Sequence, residues 1–344
     1  MRNLYDLSIE DLQSYLNSIG EPSFRADQIW QGVYLQGWTD FQEFTNLPKE
    51  LRRTLAQGFI LGTLKEEKVI SSIDGSTRKF LYRLNDSLAI ETVLMAYDDR
   101  QTACVSSQVG CAMGCAFCAT GNMGFSRNLT RGEIIEQVVG SAGLLASENK
   151  RLTNVVLMGM GEPFLNYEAV LGAVKVLNDP EGFNMGMRRF TISTVGIVPG
   201  IRRFANENSQ INLALSLHAA DDQSRSRIVP INKKYPIAEV MAACDDYLRK
   251  TNRRVTIEWA LIQGLNDGPE QAHKLAKLLG GKLYHVNLIQ LNPVEHYPGS
   301  PAEDESAASF QDLLHQAGIS CTIRLRRGID IQAGCGQLAS QATS

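Results

Sequence analysis

Over the first sixty residues apolar positions recur every three to four places. The stretches "SIEDLQSYLNSIG", "SFRADQIWQGVY" and "LPKELRRTLAQGF" each carry this spacing, which predicts three amphipathic helices. Ser8, with Asp11 three residues on, caps the first of them and Gly20 ends it. Beyond residue 60 the pattern changes to short extended runs. "KVISSIDGSTRKFLYRL", with a turn at Asp74-Gly75, and "LAIETVLMAY" predict antiparallel strands. From about residue 100 seven strand-like apolar runs follow: "TACVSS", "NVVLMGM", "RFTISTV", "INLALSL", "VTIEWALI", "YHVNLIQL" and "CTIRL". Helical stretches alternate with them, among them "TRGEIIEQVVGSAGLLA", "NYEAVLGAVKVL", "IAEVMAACDDYLRKT", "PEQAHKLAKLLG" and "SAASFQDLLHQAG". This alternation predicts parallel strands with helical crossovers, an α/β fold built as a partial (β/α)6-type barrel with its chemistry at the C-terminal strand ends. The chain divides into a helical module (1–60), an antiparallel β connector (61–96), the barrel (97–330) and a C-terminal segment (331–344) whose last residues, "QLASQATS", are expected to be loose.

A length of 344 residues suits one barrel-sized domain with a small appendage, and 44% hydrophobic residues supply its core. There is no apolar run of about 18 residues, and the start "MRNLYDLSIEDLQSYL" lacks a basic-then-apolar leader, so a cytoplasmic protein without a membrane partner is expected. The net charge of −3 gives no sign of a polyanionic partner by itself. Between Arg188 and Arg254, however, twelve Lys and Arg face six Asp and Glu. Such doublets are commonly solvated helix faces and sometimes a phosphate-binding surface.

Seven cysteines, an odd number in a chain without a secretion signal, point to metal or thiol chemistry rather than a disulfide framework. Four fall within "CVSSQVGCAMGCAFC". Cys111, Cys115 and Cys118 form C-x3-C-x2-C, with Gly110 and Gly114 letting the loop wrap. Three thiolates leave one corner of a 4Fe-4S cubane open for a substrate, whereas a closed zinc site needs a fourth ligand, which only a distant His or Cys could supply. In "MGMGEP" the backbone at Gly159 and Gly161 can approach a ligand and Glu162 offers an acceptor for an amine. Ser193, Ser216, Leu217 and His218, and Asn292 likewise end strands. Cys244 and Cys321 read as core residues, whereas Cys335, between Gly334 and Gly336, sits on approachable backbone.

The segment "CAMGCAFC" and the turn "MGMGEP" resemble the cluster loop and the glycine-rich turn of the radical S-adenosylmethionine (AdoMet) enzymes. With "CVSSQVGC", "SLHA" and "GCGQL", the chain from Leu4 to Leu338 resembles the RlmN-type RNA adenine-C2 methyltransferases. The resemblance implies a 4Fe-4S cluster on Cys111, Cys115 and Cys118. It implies an AdoMet site built from Gly161, Glu162, Ser193, Ser216, Leu217, His218 and Asn292. It also implies two AdoMet per turnover. One methylates Cys335; the other is cleaved to a 5′-deoxyadenosyl radical that takes hydrogen from the S-methyl group, and the carbon radical adds to the base. Glu91 is the implied general base, a strand carboxylate expected among apolar neighbours. Cys104 is the implied resolving thiol, leaving a transient Cys104–Cys335 disulfide. The implied partners are 23S rRNA and tRNA, with a ferredoxin or flavodoxin-type electron donor acting on a monomer. The basic doublets and Arg324, Arg326 and Arg327 are expected to meet phosphates at the barrel mouth, and the adenine must be unstacked to reach the site. Two alternatives stay open: the sister activity at carbon 8, and a non-catalytic zinc or iron–sulfur RNA-binding protein.

Overall fold

The computed structural model describes residues 1–339, so Ser340–Ser344 of the expected loose tail lie outside the described residues. Helices span Ile9–Ser18, Phe24–Tyr34 and Lys49–Gly58. The first opens on a reciprocal cap in which Ser8 Oγ accepts from the Asp11 N–H and the Asp11 carboxylate accepts from the Ser8 N–H. Their apolar stripes bury Leu12, Leu16, Ile29, Val33, Leu51 and Leu55 against one another and the connector.

One ten-stranded sheet organises the rest. Numbered in chain order, its strands are β1 (Lys65–Ser71), β2 (Thr77–Arg83), β3 (Ala89–Ala96), β4 (Gln101–Cys104), β5 (Asn154–Leu157), β6 (Phe190–Thr194), β7 (Asn212–Ser216), β8 (Val255–Leu261), β9 (Tyr284–Gln290) and β10 (Ser320–Ile323). They lie side by side in that order. β1 to β4 pair antiparallel, and β4 to β10 pair parallel. The sheet is open, with β1 and β10 as its edges. Helices Arg131–Ser147, Tyr167–Asn178, Val198–Asn206, Ile237–Thr251, Pro269–Leu279 and Asp304–Gln316 form the crossovers. The partial barrel therefore has six βα units and a seventh parallel strand.

The central strands are apolar on both faces because helices cover one side and the barrel interior the other. Leu213, Ile257, Trp259, Val286 and Leu288 are fully buried, and Trp259 packs on Phe310 of the last crossover at 5.6 Å. The crossover Val198–Asn206 was not among the predicted helices, since Pro199 and Gly200 break its apolar period. Its Pro at the first turn is compatible with helix, and Gly200 lets Phe164 pack 2.7 Å from where a Cβ would stand. Glu136 holds the N-terminal module to the barrel: its carboxylate accepts from Asn3 Nδ2 and from the Thr63 and Leu64 N–H groups at 2.5 to 2.8 Å. No helix among the described residues is long and apolar enough to cross a membrane.

Candidate active site

The C-terminal ends of β4 to β9 carry nearly every residue singled out from the sequence. Cys104 ends β4, Gly161 and Glu162 follow β5, Ser193 lies in β6, Ser216 ends β7 with Leu217 and His218 after it, and Asn292 follows β9. After Cys104 the chain makes a short antiparallel pair, Gln108–Gly110 with Phe125–Asn128, that brackets the cysteine loop. Gly110 has φ 71° and its missing Cβ would stand 1.9 Å from the Gly124 carbonyl oxygen, so no side chain fits. The loop is pinned by N–H bonds from Cys111 to Gly124 O, Ala116 to Ile228 O and Ala119 to Gly336 O, at 2.7 to 2.9 Å.

Cys111 and Cys115 are buried and Cys118 half-buried. Burial pushes the Cys111 thiol up to about 12. It also raises Cys115, with the Cys118 and Cys111 charges adding to the effect, and raises Cys118. Three thiolates here need a compensating cation. Among the described residues no three His, Cys, Asp or Glu side chains stand close enough together to hold a single metal ion. The thiols nonetheless sense one another's charge. A cubane offers its irons at separate corners and takes ligands spaced more widely than those around one ion, so this donor set fits a three-thiolate cubane and not a closed zinc site.

A cavity of about 150 Å³ lies beside the loop. Cys115 and Cys118 reach it from one side, Gly161 and Glu162 from the β5 turn, Ser193, Ser216 and His218 from the next strand ends, and Asn292 and Cys335 from the other side. Gly161, at φ 105°, is held against Gln108, whose Cβ would lie 2.6 Å from an added methyl. Glu162 accepts from the Phe164 and Val195 N–H groups, but burial outweighs these bonds and raises its carboxyl to about 7. Ser193 and Ser216 hydroxyls lie 3.3 Å apart. His218, in left-handed backbone at φ 61°, accepts the Ala260 N–H on Nδ1, which leaves the proton on Nε2. Burial lowers it to about 3, so the imidazole is neutral. Asn292 donates to the Cys335 carbonyl at 3.0 Å, while its Oδ1 is buried without a partner. Leu217 is the exception: its side chain is in the core, and its N–H and C=O bond Glu258 and Arg225 instead.

Residues 328–339 run back across this mouth. Ala333 and Leu338 are buried, Thr120 Oγ1 donates to Leu338 O at 2.5 Å and Gln337 Nε2 to Pro293 O at 2.9 Å. Cys335 remains solvent-accessible through the cavity mouth, yet crowding by neighbouring atoms raises its thiol while Arg324 draws it back. Cys104 is raised to about 12, by burial first and by the Cys335 charge second, which places the two thiols within electrostatic reach. Both are free thiols.

Glu91 stands apart from that cavity. The register puts Val93 opposite Cys104, and Glu91, two positions earlier, on the same face. Its surroundings are not the apolar ones expected. Lys79, diagonal to it on β2, lies 3.1 Å away, and the Ala339 N–H donates to it at 2.9 Å. Glu91 lines a separate cavity of about 300 Å³ with Lys68, Lys79 and Asp330.

Glu258, Arg324 and Arg225 were missed as site residues. Glu258 lines the Cys335 cavity from β8 with Oε2 buried and unbonded, and Arg324 approaches that oxygen at 3.6 Å. Arg324 therefore faces inward and does not join the expected phosphate-binding set; of the three, only Arg326 is freely exposed, as Arg327 covers Tyr97 at 4.6 Å. Arg225, one of the twelve bases counted between Arg188 and Arg254, is fully buried and donates to the Leu217 and Val195 carbonyls and Asn232 Oδ1 at 2.5 to 3.0 Å. It ties the ends of β6 and β7 together beneath the cysteine loop. Arg225→Met leaves the Val195 carbonyl and Asn232 Oδ1 orphaned at about 1 to 3 kcal/mol each, while the Leu217 carbonyl keeps the Ala219 N–H, so a loss of about 3 kcal/mol is expected in denaturant unfolding. An unchanged midpoint would show that water replaces the guanidinium.

The chain has relatives among known proteins over nearly its whole length. Residues 105–276 match the radical SAM superfamily, and residues 2–61 match the ribosomal RNA large subunit methyltransferase N-terminal domain. The chain is 49% identical to a probable dual-specificity RNA methyltransferase RlmN of Chloroflexus aurantiacus, over 99% of this chain and 93% of the relative. It is 49% identical to dual-specificity RNA methyltransferase RlmN 1 of Myxococcus xanthus, over 98% and 94%. The crystal structure of a radical SAM methyltransferase from Sphaerobacter thermophilus superposes with a TM-score of 0.97 at 49% identity, covering 99% of this chain and 100% of that one.

Proposed function

The chain belongs to the RlmN family of radical AdoMet RNA methyltransferases, and from that premise we propose that it methylates carbon 2 of an adenine in 23S rRNA and in tRNA. Membership sets aside the non-catalytic alternative. The observation that carries the reading is the convergence of Cys335 with the cysteine loop and the polar strand ends on one cavity.

Carbon 2 of adenine is electron-poor and has no lone pair, so it cannot displace a methyl group from AdoMet. The transferred carbon must attack as a radical, formed on the S-methyl group by loss of one hydrogen. Cys335 takes the methyl from one AdoMet as a thiolate, a charge that its burial opposes and the nearby Arg324 favours. Cys111, Cys115 and Cys118 would hold the 4Fe-4S cluster, which when bound would supply the electron for cleavage of a second AdoMet. Glu162, Ser193, Ser216, His218 and Asn292 would fix AdoMet, with Glu162 as partner of its ammonium and Gly161 leaving room beside it, while Leu217 supports this wall from the core. Once the S-methyl carbon has joined the base, the adduct returns its odd electron to the electron-transfer chain and gives its ring proton to Glu91; the Cys104 thiolate then attacks the Cys335 sulfur, the methylated base departs with the bonding pair and takes up a proton, and a two-electron reductant restores the disulfide to thiols. Glu91 reaches the base only when the backbone at Ala339 shifts off its carboxylate. The module 1–60 grips folded RNA, a ferredoxin or flavodoxin-type protein donates electrons, and the enzyme acts as a cytoplasmic monomer.

Glu162 sets a pH dependence. Its raised value means that the free carboxyl keeps its proton below about 7, whereas an ammonium needs the carboxylate. AdoMet affinity is therefore level above that pH and falls below it, by at most about tenfold per unit. Equilibrium dialysis across this range should show the slope in the native protein and lose it in Glu162→Gln; the same slope in both would exclude Glu162 as the partner.

The function is tested by nucleoside mass spectrometry and NMR of 23S rRNA and tRNA treated with anaerobically reconstituted enzyme, AdoMet and reductant. 2-Methyladenosine is expected from both RNAs. 8-Methyladenosine in its place would move the protein to the sister activity, and methylation of one RNA alone would end the dual assignment.

A further inference from the structure

Glu91, the base of the proposed reaction, has a different partner on each carboxylate oxygen. Lys79 Nζ lies 3.1 Å from Oε1, and the Ala339 N–H donates to Oε2 at 2.9 Å. Both side chains of the ion pair are buried, with 10% of Lys79 and 7% of Glu91 exposed. Lys79 stands on β2, diagonal to Glu91 on β3, and both line the cavity of about 300 Å³. Of the other charged residues lining it, Asp330 accepts the Ile73 N–H at 2.8 Å and Lys68 is exposed.

A buried carboxylate without a cation takes up a proton, and a protonated carboxyl cannot serve as a base. The Ala339 N–H has to leave Glu91 before adenine can approach. Lys79 is then the partner that remains, and because it sits on Oε1 it leaves Oε2 open to the ring proton. The same ammonium donates to the Gln332 carbonyl at 3.2 Å. Gln332 lies three residues before Cys335, so one side chain ties the carboxylate to the segment that carries the methyl group.

We propose that Lys79 is a positioning residue for removal of the ring proton: it keeps Glu91 ionised, holds Oε1, and aligns the carboxylate with the carrier segment through the Gln332 carbonyl. This rests on the reading of Glu91 as the base. In the step it serves, the C–H bond at carbon 2 breaks, the proton goes to Glu91 Oε2, the bonding pair stays in the ring and the odd electron of the adduct leaves to the electron-transfer chain. Lys79 gives up no proton and touches no reacting atom.

The test is a single turnover of reconstituted full-length enzyme on RNA whose target adenine carries either hydrogen or deuterium at carbon 2. Methyl loading of Cys335, 5′-deoxyadenosine and methylated product are followed in each preparation. In Lys79→Gln, which removes the charge and keeps a hydrogen-bond donor, loading and 5′-deoxyadenosine should form at native rates. Product should form about tenfold more slowly, and its hydrogen-to-deuterium rate ratio should rise, because removal of the ring proton becomes the slow step. Lys79→Arg keeps the charge and should restore the native rate and ratio. Loading slowed in proportion to product, with an unchanged ratio, would make Lys79 a structural residue and overturn the proposal; native turnover by Lys79→Gln would overturn it as well. Glu91→Gln, run alongside, separates the two readings. If it stalls after normal loading while Lys79→Gln does not, the role of Lys79 alone falls. If it turns over at the native rate, Glu91 is not the base and the proposal falls with that reading.

Discussion

Cys104→Ala is expected to leave the protein covalently joined to its RNA. Cys104 is buried at the end of β4, senses the Cys335 charge and is not among the residues lining the cavity with Cys115 and Cys118. In the proposed reaction it resolves the Cys335 link and takes no part in holding the cluster. Without it, Cys335 should still accept a methyl group and the radical step should still start, but nothing breaks the carbon–sulfur link. The adduct should run as a slow band on a denaturing gel and collapse on nuclease digestion to a peptide around Cys335 bearing one adenine nucleotide. Cys104→Ala/Cys335→Ala should give no such band. Full turnover by Cys104→Ala, or no adduct with RNA, reductant and AdoMet all present, would reduce Cys104 to a packed thiol.

Loss of any one of Cys111, Cys115 or Cys118 should be equally complete at an earlier stage. Each thiol is raised by burial and becomes a thiolate only against a cation of its own. Three ligands are the minimum for a cubane with one open corner, so Cys115→Ser, which keeps the packing, should lose iron, sulfide and AdoMet cleavage together while unfolding near the native midpoint. Cys335→Ala is the contrast, with full iron and intact AdoMet cleavage but no methyl loading. Native iron content in Cys115→Ser would remove that cysteine from the ligand set.

The parts of this site that could be read in the sequence are those whose geometry is local. The spacing of Cys111, Cys115 and Cys118 and the glycines at 110 and 161 describe loops whose backbone demands are met within a few residues. The seven apolar runs of the barrel were legible because both faces of a central strand exclude water, and all seven contain strands of the sheet. Contacts between distant segments were not legible. Glu258 and Arg324 are 66 positions apart, and only the parallel packing of β8, β9 and β10 brings them together. Arg225 looked like one more solvated base of the Arg188–Arg254 stretch because nothing nearby shows that three acceptors beneath the cysteine loop await its guanidinium. Glu91 looked isolated because Lys79 reaches it across a strand pair.

The account rests on Cys335 as carrier of the methyl group. Its most direct test is a single turnover of enzyme whose Cys335 has been loaded with a CD3 group, given unlabelled AdoMet, reductant and RNA. One deuterium should appear in 5′-deoxyadenosine, and the methyl group of the product adenine should carry the remaining two. An unlabelled methyl on the RNA, with CD3 still on Cys335, would contradict the account.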